Sequence, residues 1–400
     1  MTERRAQARV NVAAIERNCA LLRAELRAGA TLCAVVKADG YGHGAVQSAQ
    51  AALAGGAGWL AVASAQEASE LREAGVAARV LVMGALTRSE LEWALAVDAD
   101  VVVWRERDVD LVAGAGGGRV HVKLDSGMGR LGTRHAAEAS RVAAAVRFTK
   151  GVELAGVMTH FATADIREDE GFFLRQLAVF ADWSREVKAE HPEVLVHAAN
   201  SAALLRDADA HFDMARCGIA VYGMDPFGED AFARGLEPAL ELSSYVAEVK
   251  QCRAGESAGY GRRFLAARDT CLGVLPIGYG DGYRRALSNN SEVLIAGRRR
   301  PLVGTVSMDN VTVDLGADDD ADALRGEPAI LIGDQAGERI SAEEIAGRIG
   351  TINYEVTCAL TPRVPRMYHR DGAPAQDAAV PARGGGLEPS TDSAAEARRT

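Results

Sequence analysis

The segment AVVKADGYGHG follows directly on the short apolar run TLCAVV, so Lys37 falls at the carboxyl end of a strand-like stretch. A primary amine there has two fates. It can snorkel to a rim and stay a solvated cation, or it can be partly desolvated, lose its proton more readily and attack a carbonyl in Schiff-base chemistry. The residues that follow favour the second fate, because Gly40, Gly42 and Gly44 let backbone approach a ligand while Tyr41 offers a hydroxyl. Further candidates come at intervals: Lys123 and Arg130 in HVKLDSGMGR, His160 in THFATAD, Asn200 and Ser201 in HAANSAA, and Arg216, Gly218 and Ile219 in MARCGIAVYG. A guanidinium fork suits a carboxylate. Hydroxyls and backbone N–H groups at a helix start suit a phosphate. Singly, each has an ordinary reading too: HAANS as a helix N-cap, SGMGR as a Gly-rich loop, His160 as a structural histidine.

These residues need a frame that brings distant segments together. Between residues 31 and 216, eight runs rich in Val, Leu and Ile (TLCAVV, WLAVAS, RVLVMG, DVVVW, GRVHVKLD, LAGVMTHF, VLVHAAN and HFDMARCG) alternate with stretches whose apolar residues recur at helical spacing. Buried strands each followed by a helix predict an α/β fold, a (β/α)8 TIM-like barrel over residues 11–236, with a doubly wound open sheet as the alternative. After Leu236 the pattern changes to strand-like runs joined by Gly- and Asp-containing turns. That predicts a mostly β C-terminal domain over residues 237–370, with residues 1–10 a candidate addition to it. Its one clear helix, SAEEIAGRIG, carries a capping-box pattern from Ser341 to Glu344 and ends at Gly350. Residues 371–400, rich in Ala, Gly, Pro and Ser, read as a disordered tail.

Composition narrows the function. The chain has 400 residues, 48% hydrophobic and 25% charged, which fits a globular protein and excludes a wholly disordered one. A formal net charge of −10 gives no support to nucleic-acid binding. The N-terminus is broken by charges and no apolar run is long enough to span a bilayer, so no membrane association and a cytoplasmic location are expected. The six cysteines are scattered without a CxxC pair, which points to reduced thiols and to no metal site.

With AVVKADGYGHG, the segments HVKLDSGMGRLG, THFATAD, HAANSAA, RCGIAVYG, AGYGRRF, IGYGDGYRR, VSMDN and INYE occur in an order that resembles the alanine racemase family over nearly all of residues 8–370. The resemblance implies a pyridoxal 5'-phosphate enzyme that interconverts L-alanine and D-alanine, supplies D-alanine for peptidoglycan, and works as a homodimer with active sites at the subunit interface. It implies Lys37 as the coenzyme lysine and as the base on one face of the substrate. Tyr260, from the partner's C-terminal domain, is then the base on the other face.

The same resemblance makes Arg130 the contact for that tyrosine and for the substrate carboxylate. Lys123 is a candidate for carbamylation, which would turn a cation into an anion able to hold Arg130. Arg216 faces the pyridine nitrogen and, as a donor only, keeps it unprotonated, which favours proton return over transamination. His160 supports Arg216. Ser201, Gly218, Ile219, Tyr41 and Tyr354 form a phosphate cup with Asn200 beside it, and Tyr279 and Met308 line the substrate side. Aromatic and Met residues in a β domain are otherwise core. Ser307 departs from the family, in which a cysteine is frequent before Met-Asp, and this leaves serine or another small amino acid open as substrate.

Two other readings compete. A decarboxylase of the same architecture would also hold the coenzyme through a strand-end lysine, yet would not need Tyr260 with Arg130. A coenzyme-binding protein without catalysis would need only a single barrel, and the second domain carrying AGYGRRF argues against it.

Overall fold

The computed structural model describes residues 4–317 and 321–375. Each of the eight apolar runs forms a strand: β2 (Thr31–Val35), β3 (Trp59–Val62), β4 (Arg79–Val82), β5 (Asp100–Val103), β6 (Gly118–Lys123), β7 (Val152–Met158), β8 (Leu195–His197) and β9 (Met214–Cys217). They pair in parallel in chain order. β9 returns to β2, closing the barrel and excluding the open sheet. All four residues of β5 are buried, because one face fills the barrel and the other meets helices. Leu32, Leu60 and Leu81 are fully buried on these strands, each contributing roughly 1.5–3 kcal/mol.

A second sheet gathers both ends of the described residues. β1 (Ala6–Asn11), at the N-terminus, runs antiparallel to Leu240–Tyr245 and parallel to Arg366–Arg370. Pro328–Gln335, Glu292–Ile295 and Arg298–Pro301 extend the sheet on one side. Glu248–Cys252, Thr270–Leu275 and Val311–Gly316 make a separate three-stranded sheet.

Three local expectations change. The helix Ala342–Ile349 is capped as predicted by Ser341, whose Oγ accepts from Glu344 N at 3.1 Å, and it stops at left-handed Gly350. The capping box, however, is only half formed. The Glu344 carboxylate turns instead to Arg299 (2.8 and 3.0 Å) and Arg348 (2.8 Å), since two charge-assisted pairs outweigh one backbone bond. A second short helix, Asn353–Cys358, follows it and carries Tyr354. At the C-terminus, Ala373–Pro374 folds back on His369 and Arg370, and Asp371 pairs with Arg17 at 2.9 Å, so the ordered chain passes the expected boundary at 371. The rest of the expected tail, 376–400, lies outside the described residues.

Candidate functional site

Lys37 stands two residues beyond β2, at the end of the barrel where strands finish. The chain behind it takes a left-handed turn. Ala38, Asp39 and Tyr41 have φ values of 52°, 53° and 53°, with Gly40 at 60° between them. For residues with a Cβ this conformation costs roughly 1–2 kcal/mol each, so it needs anchors. Gly40 N bonds Val36 O at 3.0 Å and Gly44 N bonds Asp39 O at 2.8 Å. The Asp39 carboxylate accepts from Ala45 N at 3.0 Å, and the Glu67 carboxylate accepts from Ala38 N at 2.7 Å. The strain lies in the segment that aims Lys37 and Tyr41, as strain at functional sites commonly does.

Other strand ends deliver the remaining groups. β6 ends on Lys123, and the loop after it carries Arg130. That loop is drawn in by buried Asp125, whose carboxylate accepts from Gly127 N at 3.1 Å and Gly129 N at 2.9 Å. His160 follows β7. Asn200 follows β8 and caps the helix Ser201–Arg206 by accepting from Ala203 N at 2.9 Å. Arg216 lies within β9, with Gly218 and Ile219 just beyond it. All of these, with Lys37, Tyr41, Ser201 and Tyr354, line one cleft of about 370 Å³. The Ser201 Oγ accepts from Gly218 N at 3.1 Å, which places hydroxyl and backbone N–H side by side. Position 218 must be glycine, because a Cβ there would stand 2.3 Å from the Tyr41 hydroxyl.

The electrostatics of the cleft are one-sided. Lys37, Lys123, Arg130 and Arg216 line it, and no Asp or Glu does among the described residues. Burial, reinforced by Arg130, holds the Lys37 amine below its ordinary pKa; Glu67 opposes this. Burial and then Arg216 and Arg130 bring Lys123 down to about 8. Burial lowers even Arg216 to about 10. The Arg216 guanidinium donates to Thr159 O at 2.7 Å, Ala198 O at 3.0 Å, His197 Nδ1 at 2.8 Å and His160 Nδ1 at 3.3 Å. His160 lies within hydrogen-bond distance of Arg216, and His197 gives a shorter contact. Burial keeps both imidazoles well below their usual pKa, hence neutral.

Tyr260, Tyr279 and Met308 are not in this cleft. They are 73%, 41% and 51% exposed on the β-rich part of the chain. Hydrogen bonds stitch their loops into one surface: Thr305 Oγ1 donates to Tyr260 O at 2.8 Å, Tyr279 N to Ser307 O at 3.0 Å and Gly280 N to Met308 O at 2.9 Å. Behind them, fully buried Asp281 takes Arg5 Nη2 at 2.5 Å and Arg363 Nε at 3.3 Å, while Arg363 reaches Asp309 at 2.5 Å. None of the three residues of this face lines the cleft.

Four residues near the site were missed in the sequence. Cys358 lines the cleft, Glu67 anchors the Lys37 turn, and His197 and His121 lie beneath Arg216. The histidines left a signal, a polar residue inside an otherwise apolar strand run. Cys358 left none.

A closed parallel barrel whose strand ends bring a lysine of lowered basicity, hydroxyl and backbone donors and three further basic side chains to one cleft has the architecture of a barrel enzyme. Family models for the alanine racemase N-terminal domain and C-terminal domain match residues 10–226 and 239–368. The chain belongs to the alanine racemase family, and it is an enzyme of the racemase type. It is 42% identical over 344 residues to the alanine racemase of Symbiobacterium thermophilum, covering 84% of this chain and 90% of that one. To alanine racemase 1 of Bacillus subtilis it is 39% identical over 376 residues, covering 92% and 93%. The crystal structure of the alanine racemase from D-cycloserine-producing Streptomyces lavendulae superposes with a TM-score of 0.87 at 37% identity, over 92% of this chain and 98% of that one.

Proposed function

We propose that this chain interconverts L-alanine and D-alanine with pyridoxal 5'-phosphate, as a homodimer, in the cytoplasm, supplying D-alanine for peptidoglycan. The observation that carries the proposal is the cleft of four cations without a carboxylate, beside hydroxyl and backbone donors. Such a site favours an anionic occupant, and it fits this coenzyme at three points. The Lys37 amine suits its aldehyde. Ser201, Tyr41, Tyr354 and the Gly218 and Ile219 backbone, with Asn200 beside them, suit its phosphate. Arg216, a donor only, suits an unprotonated ring nitrogen. When bound, the coenzyme supplies an electron sink for the charge left on the α-carbon.

The side chains do the rest. Arg130 holds the substrate carboxylate with its guanidinium fork. The Lys37 Nζ takes or returns the α-proton on one face, and the Tyr260 hydroxyl of a partner subunit does so on the other. Tyr279 and Met308 close the substrate side on the partner's face. Burial and depressed basicity suit Lys123 to addition of CO2 with loss of one proton, giving a carbamate anion that faces Arg130 and relieves the cation crowding. Donation by Arg216 without a partner acid favours return of the proton to the α-carbon.

The test is direct. Purified full-length chain, supplied with coenzyme, is incubated in deuterated water with each enantiomer of alanine and of serine, and chirality and α-deuterium are followed. Both alanine enantiomers should converge on one mixture with deuterium in each; retention of chirality removes the proposal. Intact mass should show the increment of one CO2, lost in Lys123→Ala.

A further inference from the structure

Barrel interiors are normally filled by branched apolar side chains, but beneath Arg216 this one holds three fully buried polar ones, Asp100, His121 and His197. They touch in sequence. His197 Nδ1 is 2.8 Å from Arg216 Nη1, His197 Nε2 is 2.8 Å from His121 Nδ1, and His121 Nε2 is 3.0 Å from Asp100 Oδ2. Asp100 opens β5, and it is gripped by Arg79 from the start of β4 (2.5 Å) and by Arg119 from the start of β6 (2.8 Å). The chain of contacts therefore runs from the cleft to the opposite end of the barrel.

Its polarity is fixed by chemistry. A guanidinium only donates, so His197 Nδ1 must accept and its proton must sit on Nε2. That proton is then donated to His121 Nδ1, which leaves the His121 proton on Nε2, facing the Asp100 carboxylate. Each step allows one tautomer, and every donor points away from Arg216. The space for it is carved on purpose: at Gly156 in β7, a Cβ would stand 2.2 Å from His121 Nδ1. Burying these polar groups costs more than an apolar layer would unless every partner is in place, and here the partners are complete.

We infer that Asp100, His121 and His197 are positioning residues for Arg216, a one-way hydrogen-bond relay that locks its guanidinium orientation toward the cleft from an anchor at the far end of the barrel. The inference rests on the functional reading above for what Arg216 then does, but the relay itself is a property of this chain alone. Arg216 favours the Nε2–H form of His197 from one end and the His121–Asp100 pair secures it from the other; without the Asp100 acceptor only Arg216 still holds that form, a second tautomer gains population, and its Nδ1–H would oppose an Arg216 N–H directly.

The experiment labels the full-length chain with 15N-histidine and reads tautomers by NMR, with and without pyridoxal 5'-phosphate, beside steady-state kinetics with alanine. In the unchanged chain, His197 and His121 should both carry Nε2–H. A proton on His197 Nδ1 overturns the relay outright. In Asp100→Leu and His121→Phe, with only Arg216 left to hold it, the His197 signal should shift from one tautomer toward a mixture and kcat should fall about tenfold, the worth of one good hydrogen bond, while KM stays within about twofold. Gly156→Ala, which alters no relay residue, should reproduce the His121→Phe change by displacing that ring. Variants that only lower the melting temperature, leaving the His197 signal and kcat unchanged, overturn the inference. Correct tautomers in a chain that cannot racemise alanine would support the relay and remove the functional reading instead.

Discussion

The carboxylate of Glu67 accepts the backbone N–H of Ala38 at 2.7 Å, joining the left-handed turn behind Lys37 to the helix that follows β3. The same carboxylate caps that helix, accepting from Ala63 N at 2.7 Å and Ser64 N at 3.2 Å. One side chain thus starts a helix, offsets backbone strain and opposes the electrostatic depression of the Lys37 amine.

Glu67→Gln should therefore act on Lys37 without touching it. With the opposing carboxylate gone, burial and Arg130 depress the amine further, so the free base appears at lower pH. Coenzyme capture by the coenzyme-free chain, followed by absorbance in a stopped-flow instrument, should rise with pH in both proteins, with the rise displaced to lower pH in the variant. Glu67→Ala, which also leaves Ala38 N–H without its acceptor, should lose about 1–3 kcal/mol in urea unfolding. An unmoved pH profile in Glu67→Gln would show that the carboxylate does not reach Lys37 electrostatically.

How far the site was legible in the sequence depends on range. Strand-end placement of Lys37, Lys123, His160, Ser201 and Arg216 follows from where apolar runs stop, because a parallel barrel puts all such ends on one side. The double use of Glu67 does not. SAQE reads as a helix start, but that its carboxylate also reaches Ala38 depends on β2 and β3 being neighbours. Nor do the glycines of ADGYG announce that Ala38, Asp39 and Tyr41 share the left-handed conformation, which anchors in three separate segments impose. Tyr260 was legible as a motif and illegible as a position, since it lies outside the cleft of its own chain.

Acid should destabilise the fold through its buried histidines. His43 stacks on Tyr222 at 4.5 Å and bonds Gly40 O and Tyr41 O through Nδ1, so Nδ1 carries the proton; Nε2 has no partner among the described residues. Burial lowers its pKa from 6.5 to about 4. Between those values the unfolded chain binds the proton and the folded chain does not, so stability falls as pH drops through that window, by about 1.4 kcal/mol per pH unit for each such group. His160, His197 and His121 shift in the same direction. Urea midpoints should decline from pH 7 to pH 4.5, and His43→Phe, which keeps the stacking, should flatten that decline by about one proton. An equal slope in the variant would place the acid sensitivity elsewhere.

Gly218→Ala tests the packing at the phosphate end. Its new Cβ would press on the Tyr41 hydroxyl, and Tyr41 is wedged between Tyr222 and Tyr354, with ring centroids at 5.2 and 5.8 Å. The ring cannot retreat without disturbing both. Coenzyme affinity, measured by fluorescence titration, should weaken at least about tenfold, and the unfolding midpoint should fall too, because the new Cβ crowds the buried Tyr41 stack and position 218 has φ −111° and ψ −86°, outside the helical region. Unchanged affinity would mean that Tyr41 does not contact the phosphate.

The sharpest prediction concerns Lys37 and Tyr260 together. Lys37 lies in the cleft, Tyr260 does not, and 73% of Tyr260 is open on a face shared with Tyr279 and Met308. If two-fold symmetry brings that face over a partner's cleft, each site takes its amine from one chain and its phenol from the other. Lys37→Ala and Tyr260→Phe should each be inactive alone, the first without the absorbance of lysine-bound coenzyme and the second with it. Tyr260→Phe should lose exchange on one face, so deuterium uptake from the two alanine enantiomers should differ. Co-expressed in equal amounts and unfolded and refolded together, the two variants should recover activity, because a mixed dimer has one site with both groups intact. Half the dimers are mixed and each has one good site of two, so recovery should approach about a quarter of the unchanged enzyme. No recovery, from chains shown to mix, would place both groups in the same subunit's site and remove the two-chain mechanism.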